Sequence, residues 1–306
     1  MSSVATEAGV VLGFGGTNAR VGVCHEGDVE SFTSVATPER PREFFGWMAR
    51  QVLAAADKGN SWLVAGFPGP VSSDGRLAGP MTNVPGLAKE QYHLAEELAA
   101  ADPAVGRLLQ EGFILVAVND GELAAQAAAD RIGKYGYNRT SALIVGTGIG
   151  AGIVDRDRSY NNVCRADRSN PTEIGHILLS ADPIDTFENA VSGPALARTY
   201  GEDARELSPD HPAWKKVGEF AGRLATILGV MNGVELVVLC GGVGAGASDN
   251  YGPHLRSMID TYREYGNGPQ KLFLPEIVPV PQADAQVFEM FGGEGVMRDF
   301  ITRSAE

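Results

Sequence analysis

Two stretches of this chain share one pattern, in which an apolar run leads into a glycine-rich turn and a second apolar run follows. The first stretch reads GVVLGFGGTNARVGV (residues 9–23) and the second reads SALIVGTGIGAGIV (residues 141–154). Apolar runs that flank a short glycine turn predict two antiparallel strands joined by that turn. Since the pattern occurs twice, the sequence predicts two related α/β lobes that face each other across a cleft.

The segments between and after the two hairpins also predict α/β structure. Residues 42–56 have apolar positions at helical spacing, and residues 113–118 (FILVAV) are typical of a strand buried on both faces. The run 235–240 predicts another strand, which leads into the glycine-rich segment GGVGAGAS. We expect helices over about 254–262 and 285–302, the latter returning to the first lobe. The predicted domains are a small N-terminal lobe of residues 1–118 plus 290–306 and a large C-terminal lobe of residues 119–289.

Charge and cysteine content exclude several functional classes. The 306 residues include 38 acidic and 25 basic side chains, a net charge of -13, which repels polyanions and argues against general nucleic-acid binding. Cys24, Cys164 and Cys240 are far apart in sequence, so we expect neither a disulfide framework nor a cysteine-rich zinc module. The first residues lack a signal-peptide pattern, and no run approaches the roughly 18 apolar residues that cross a bilayer. We therefore expect a cytoplasmic protein that does not bind a membrane.

The 39 glycines are more than the usual share of about 7% predicts, and many lie in three turns. Backbone N–H groups in such turns can hold a phosphate chain without basic side chains, which suits an acidic protein. A P-loop is excluded because GxxxxGK[ST] does not occur. GTGIGA and GVGAGA fit the loose dinucleotide pattern, but the first continues as IVDRDR, which predicts a returning strand instead of a helix. We favour nucleoside triphosphate binding, with ligand-free tight hairpins as the alternative. The predicted nucleotide-binding residues are Gly15, Gly16, Thr17, Asn18, Gly146, Thr147, Gly148, Gly150, Gly241 and Gly242.

Several motifs occur in the order seen in one family of sugar kinases. GFGGTNARVGV, VNDGELAA, LIVGTGIGAGIV, TEIGH, FENAVSGPALA and LCGGVGAG together resemble the ROK and bacterial glucokinase group. The resemblance covers nearly the whole chain. It implies a two-lobed actin-like ATPase (ribonuclease H-like) fold with an interlobe cleft, ATP and Mg²⁺ as cofactors, and a hexose, most simply glucose, as substrate. Dimers are common in that group, so the resemblance allows a homodimer.

The resemblance also assigns roles to single residues. Asp120, at the predicted junction of a strand and a helix, matches the catalytic base that accepts the sugar hydroxyl proton, and its alternative role is a plain helix N-cap. Glu188 and His176 have solvent-exposed or structural roles as alternatives, and loop residues are also explained by turn chemistry alone. Arg20 could steer phosphate or form a salt bridge. The predicted substrate-binding residues are Asn119, Glu173, His176, Glu188, Gly69 and Asn83.

Two departures from the family pattern leave alternatives open. The segment after TEIGH lacks the cysteine cluster that holds structural zinc in many relatives, so no bound zinc is expected. Gly13 stands where relatives have an aspartate near the magnesium and phosphates, so unless another group compensates we expect a slow kinase, and we expect Gly13→Asp to raise its rate. The alternative is a catalytically weak or inactive sugar or nucleotide sensor. A repressor of the same family would need an N-terminal DNA-binding domain, which we do not expect here. The hexose and the choice between ATP and polyphosphate stay open.

Overall fold

The computed structural model describes residues 8–72, 74–81, 83–133, 136–157, 160–163, 174–265, 274–281 and 284–304. In chain order its strands and helices are β1 Gly9–Phe14, β2 Asn18–His25, β3 Asp28–Ala36, α1 Pro41–Asp57, β4 Trp62–Phe67, β5 Leu77–Ala78, β6 Tyr92–His93, α2 Leu94–Ala101, α3 Pro103–Gln110, β7 Ile114–Asn119, α4 Asp120–Arg131, β8 Arg139–Val145, β9 Ile149–Asp157, β10 Tyr160–Val163, α5 Phe187–Val191, α6 Gly193–Tyr200, α7 Ala213–Asn232, β11 Leu236–Cys240, α8 Gly241–Gly244, α9 Ser248–Tyr265, β12 Glu276–Pro279 and α10 Gly293–Ser304. Three 3-10 turns cover Pro85–Leu87, Ile174–His176 and Phe288–Gly292.

Two five-stranded sheets repeat the same arrangement. The first has the order β3-β2-β1-β4-β7 and the second has the order β10-β9-β8-β11-β12. In each sheet the hairpin strands pair antiparallel, while the next two strands are added parallel to the first strand of the hairpin. The sequence repeat is therefore a structural repeat, and the predicted two-lobed actin-like α/β fold is confirmed.

Helix α4 lies between the two sheets. Its N-terminus is a capping box. The Asn119 side chain accepts the backbone N–H of Glu122, and the Glu122 side chain accepts the backbone N–H of Asn119. Five of the twelve residues of the helix are alanine, and these small side chains are buried in one core cluster with residues of both sheets, including Val64 of β4 and Val238 of β11. Small side chains let the flanking sheets approach closely, so α4 fixes the position of one lobe against the other.

The C-terminal segment packs onto the first hairpin. The predicted helix over 285–302 is instead a 3-10 turn, Phe288–Gly292, followed by α10. Gly292 and Gly293 are adjacent at the junction, and glycine is a poor helix former, which explains the break. The Sγ atom of Cys24 in β2 donates to the backbone oxygen of Met290 at 3.3 Å. The segment thereby returns to β1 and β2, although the exact domain boundary stays a prediction.

Other boundaries differ from the prediction by a few residues. Helix α1 and strands β7 and β11 lie within one residue of their predicted limits. Helix α9 begins at Ser248, earlier than predicted, and Pro253 lies in its interior. Within the described part of the chain, no helix is both long enough and apolar enough to cross a membrane.

Candidate functional site

One cavity of about 160 Å³ lies where the two lobes meet. It receives residues from all three predicted glycine turns and from the start of α4. The lining residues are Phe14, Gly15, Gly16, Arg20, Pro68, Gly69, Asn83, Asn119, Asp120, Ile144, Gly146, Thr147, Gly148, Ile149, Gly150, Ala151, Glu188, Gly241, Gly242 and Glu289. The structure thus brings together segments that lie more than 200 positions apart in the sequence.

The first glycine turn, between β1 and β2, is held by its own hairpin and by the end of β3. The Gly15 N–H donates to the Asn18 oxygen at 2.9 Å, and the Thr37 hydroxyl donates to the Gly15 oxygen at 2.7 Å. The Thr17 hydroxyl shares a hydrogen bond of 3.1 Å with the hydroxyl of Thr147 in the second turn. The two turns therefore touch each other directly across the two lobes.

The second glycine turn, between β8 and β9, is fixed by a carboxylate from α5. The Ile149 N–H donates to Oε2 of Glu188 at 2.8 Å, and the Gly146 N–H donates to the Gly148 oxygen at 2.9 Å. Glu188 is half-buried at the cavity wall. The alternative prediction for Glu188, a solvent-exposed helix residue without a role in the site, therefore does not fit its position.

The third turn follows β11 and depends on glycine at one position. Gly241 has φ of +85°, and a β-carbon there would lie 2.6 Å from the Val145 oxygen, so a larger residue would be strained and crowded. Gly242 beside it has no atom within 4 Å of such a β-carbon. The turn therefore presents open backbone to the cavity at Gly242.

Asn119 and Asp120 occupy the strand-to-helix junction, as predicted. The Asn119 amide donates to the Phe67 oxygen at 3.3 Å and to the Gly69 oxygen at 2.9 Å, while its Oδ1 accepts the Gly121 N–H at 2.9 Å. Asn119 thereby holds the loop that contains Gly69 against α4. Asp120 is half-buried, and it lines the cavity from the first position of α4.

Glu289 is a cavity residue that the sequence analysis did not identify. Its Oε1 accepts a charged hydrogen bond of 2.6 Å from Nη1 of Arg20. A β-carbon built on Gly13 would lie 2.5 Å from the same oxygen. Burial raises the pKa of the neighbouring Cys240 thiol, and the charge of Glu289 raises it further. A carboxylate is therefore present at the space left open by Gly13.

Three other predicted residues that the structure describes lie outside this cavity lining. Thr17 and Asn18 are exposed at the edge of the first turn, and His176 is exposed at the end of its 3-10 turn. Glu173 lies outside the described residues.

In the part of the chain that the structure covers, no group of three or more histidine, cysteine or acidic side chains is arranged to hold a metal ion. A second, open groove of about 1060 Å³ beside the start of α1 contains none of the predicted site residues.

Comparison with known proteins finds relatives both by sequence and by structure. The curated fructokinase of Pediococcus pentosaceus is 26% identical over 112 residues, which cover 33% of this chain and 37% of that protein. The chain thus aligns with little more than a third of that relative's length. The structure of a ROK hexokinase from Thermus thermophilus is 23% identical and superposes with a TM-score of 0.71, covering 96% of this chain and 100% of that chain.

A second solved structure, the ROK family glucokinase from Streptomyces griseus in complex with glucose and AMPPNP, gives a TM-score of 0.73 at 18% identity. The superposition covers 95% of this chain and 99% of that chain. Most directly, the sequence model of the ROK family matches residues 10–278, which include both glycine hairpins and the strand-to-helix junction at Asp120. The chain belongs to the ROK family.

Proposed function

We propose that this protein transfers the terminal phosphoryl group of ATP to a hydroxyl group of a hexose, with glucose to glucose 6-phosphate as the reaction to test first. The single observation that carries the proposal is the shared cavity, which combines three glycine turns with the carboxylate of Asp120. Backbone at such turns suits a phosphate chain, and a carboxylate suits the proton of an attacking hydroxyl group.

In this proposal Asp120 accepts the proton of the sugar hydroxyl as that oxygen attacks the terminal phosphate. The backbone of α4 holds Asp120, and the Asp120 Oδ1 accepts the Gly121 N–H at 2.9 Å. Asn119 positions the loop that contains Gly69 at the cavity wall. Glu188, Asn83 and Gly69 surround the space in which we place the sugar, while the roles of Glu173 and His176 rest on the family resemblance alone.

The donor set of the cavity fits a magnesium nucleotide. Gly150 and Gly242 leave open space where other residues would carry a β-carbon, and the lining includes carboxylates, the class of hard oxygen ligand that Mg²⁺ prefers. When bound, Mg²⁺ neutralises negative charge on the phosphates during transfer. The chain's own contribution is to orient the nucleotide through the glycine turns and to keep the proton acceptor beside the sugar hydroxyl.

The rival interpretation, an inactive sensor, depended on the missing side chain at Gly13. Glu289 supplies a carboxylate in that space, which weakens the argument for a sensor. The relatives support sugar phosphorylation, since one is named a fructokinase and another is a glucokinase bound to glucose and AMPPNP. They leave the hexose to experiment.

The test is an ADP-release assay of the purified protein with glucose, fructose, mannose and N-acetylated hexoses, repeated with polyphosphate as donor and phosphorylated sugar as the readout. We expect one hexose to give a clear preference in kcat/KM with ATP. Sugar binding without any phosphorylated product, for every hexose and both donors, would favour the sensor instead.

A further inference from the structure

Glu289 reaches the cavity from the far end of the chain. It belongs to the 3-10 turn Phe288–Gly292 and lies 269 positions after its partner Arg20. The side chains of Arg20 and Glu289 are 25% and 23% exposed, so the ion pair is shielded from bulk water yet open to the cavity. The family motifs do not include this residue, and its position comes from the fold alone.

The hairpin register explains why Glu289 fits. Gly13 in β1 lies directly opposite Arg20 in β2, and residues opposite each other on antiparallel strands point to the same face of the sheet. A side chain at position 13 would therefore project beside Arg20. Because position 13 is glycine, the Glu289 carboxylate fills that space, with Oε1, Cδ and Cγ at 2.5, 3.2 and 3.3 Å from a β-carbon built there.

The charge of the cavity favours a cation alongside bound phosphates. Among the described lining residues, three carry carboxylates, Asp120, Glu188 and Glu289, and Arg20 carries the one basic group. This excess of negative charge repels the phosphates of a nucleotide. Mg²⁺ is commonly held by one or two carboxylates together with water and substrate phosphates, so it needs no preformed cluster of protein ligands.

The three carboxylates are not equivalent in their surroundings. Asp120 begins α4, and Oε2 of Glu188 accepts the Ile149 N–H of the second glycine turn. Within the described residues, the Glu289 carboxylate has Arg20 as its hydrogen-bond partner, and Arg20 also fixes its orientation. Among the described lining residues, Glu289 is thus the carboxylate that is neither the proposed base nor bound to a turn backbone.

We propose that Glu289 holds the divalent cation that accompanies the nucleotide, in place of a carboxylate at position 13, and that Arg20 acts as its positioning residue. The proposal deepens the kinase function and rests on it in one respect, namely that the cavity binds a nucleotide. A carboxylate supplied by the C-terminal segment thereby compensates for Gly13.

The first test measures metal binding without turnover. Mn²⁺ affinity in the presence of ADP, read by electron paramagnetic resonance, is compared between wild type and Glu289→Gln, which keeps the side-chain size. We expect a loss of about 10- to 100-fold in apparent Mn²⁺ affinity, the usual effect of removing a group that supports a metal site. ADP affinity in EDTA should not fall, since the variant removes a negative charge that repels the phosphates. The matched control is Glu294→Gln on the same segment, whose carboxylate accepts the Gly27 N–H away from the cavity.

The second test moves the carboxylate back to β1. Gly13→Asp alone should not improve Mn²⁺ binding, because its side chain meets the Glu289 carboxylate. Glu289→Ala alone should weaken Mn²⁺ binding, and the double variant Gly13→Asp/Glu289→Ala should regain most of the lost affinity. Rescue in the double variant supports the proposal, whereas a double variant no better than Glu289→Ala counts against it.

The results separate this inference from the proposed function. Equal Mn²⁺ affinities for wild type and Glu289→Gln would overturn the role of Glu289 while leaving hexose phosphorylation intact. A wild-type protein that binds Mn²⁺ and ADP through Glu289 but phosphorylates no hexose would overturn the kinase function and keep the cation site. A wild-type protein that binds neither Mn²⁺ nor ADP would overturn both.

Discussion

The hydroxyl groups of Thr17 and Thr147 share a hydrogen bond of 3.1 Å between residues 130 positions apart, one in each glycine hairpin. The cavity beside them encloses about 160 Å³, whereas sites for drug-sized ligands usually measure about 300–1,000 Å³. Separation of the two turns would enlarge the space for a hexose and a nucleotide. The Thr17–Thr147 hydrogen bond is one contact that this opening must break.

Thr17→Val removes that hydrogen bond and keeps the side-chain shape. A net hydrogen bond contributes about 0.5–1.5 kcal/mol, so we expect opening of the two turns to become roughly 2- to 10-fold more frequent. Amide hydrogen exchange in peptides that cover residues 15–18 and 146–149 should accelerate by that factor. Thr17→Ser, which retains a hydroxyl group, is the control. Identical exchange in the two variants would mean that the hydroxyl pair does not hold the turns together.

Asp120→Asn tests the proposed base. The amide has the shape of the carboxylate but does not accept the hydroxyl proton, so kcat should fall by about 10²- to 10⁴-fold. Sugar affinity, measured by calorimetry, should largely survive because the side chain keeps its size and hydrogen-bonding capacity. A variant with wild-type kcat would remove Asp120 from the mechanism, and thermal unfolding should confirm that the variant is folded.

The repeat and the glycine turns could be predicted from sequence because their signals are local. Each hairpin is encoded by about fifteen consecutive residues, and the strand-to-helix junction at Asp120 is encoded by about ten. The structure brings most of the predicted nucleotide-binding residues to one cavity, including Gly15, Gly146 and Gly242. Short-range patterns of apolar residues and glycine were sufficient for that result.

Glu289 could not be predicted in the same way. Its pairing with Arg20 spans 269 positions, and the surrounding sequence was expected to form a continuous helix. The space that it fills exists because Gly13 and Arg20 are opposite each other in β1 and β2, a relationship that depends on strand register. A glycine where relatives have an acid was the one available signal, and it did not indicate which residue compensates.

Asn119→Asp tests whether Asn119 acts through the fold or through the sugar. An aspartate can still accept the Gly121 N–H as a helix cap, but it cannot donate to the oxygens of Phe67 and Gly69. The Gly69 oxygen would lose this donor, the Phe67 oxygen would keep the Gly69 N–H, and both buried carbonyl groups would face a negative charge. We expect a loss of about 2 kcal/mol or more in the free energy of unfolding, measured by urea denaturation.

Asp120→Asn makes the reverse chemical change at the adjacent position and serves as the control for stability. We expect it to unfold at nearly the wild-type urea concentration, since its side chain lies at the cavity. If Asn119→Asp instead kept full stability and lost sugar affinity, Asn119 would act as a direct sugar ligand and not as a support for the Gly69 loop.

Gly241 and Gly242 are neighbours that should respond differently to the same substitution. Gly241→Ala places a β-carbon 2.6 Å from the Val145 oxygen at a φ of +85°, so we expect a loss of about 1 kcal/mol or more in stability. Gly242→Ala meets no atom within 4 Å. Its stability should equal or exceed that of wild type, because alanine is a better helix former than glycine.

The same pair separates fold from binding. Since Gly242 lines the cavity in open space, the added methyl group of Gly242→Ala should obstruct a phosphate chain that approaches the backbone there. We expect nucleotide affinity to fall by roughly 10-fold, which is the effect of one extra methylene group in a binding site that does not accommodate it. Calorimetric titration with ADP and Mg²⁺, at a temperature where both variants are folded, measures this directly. Wild-type ADP affinity in Gly242→Ala would show that the third glycine turn does not contact the nucleotide, and phosphate binding would then rest on the turns at Gly15 and Gly146.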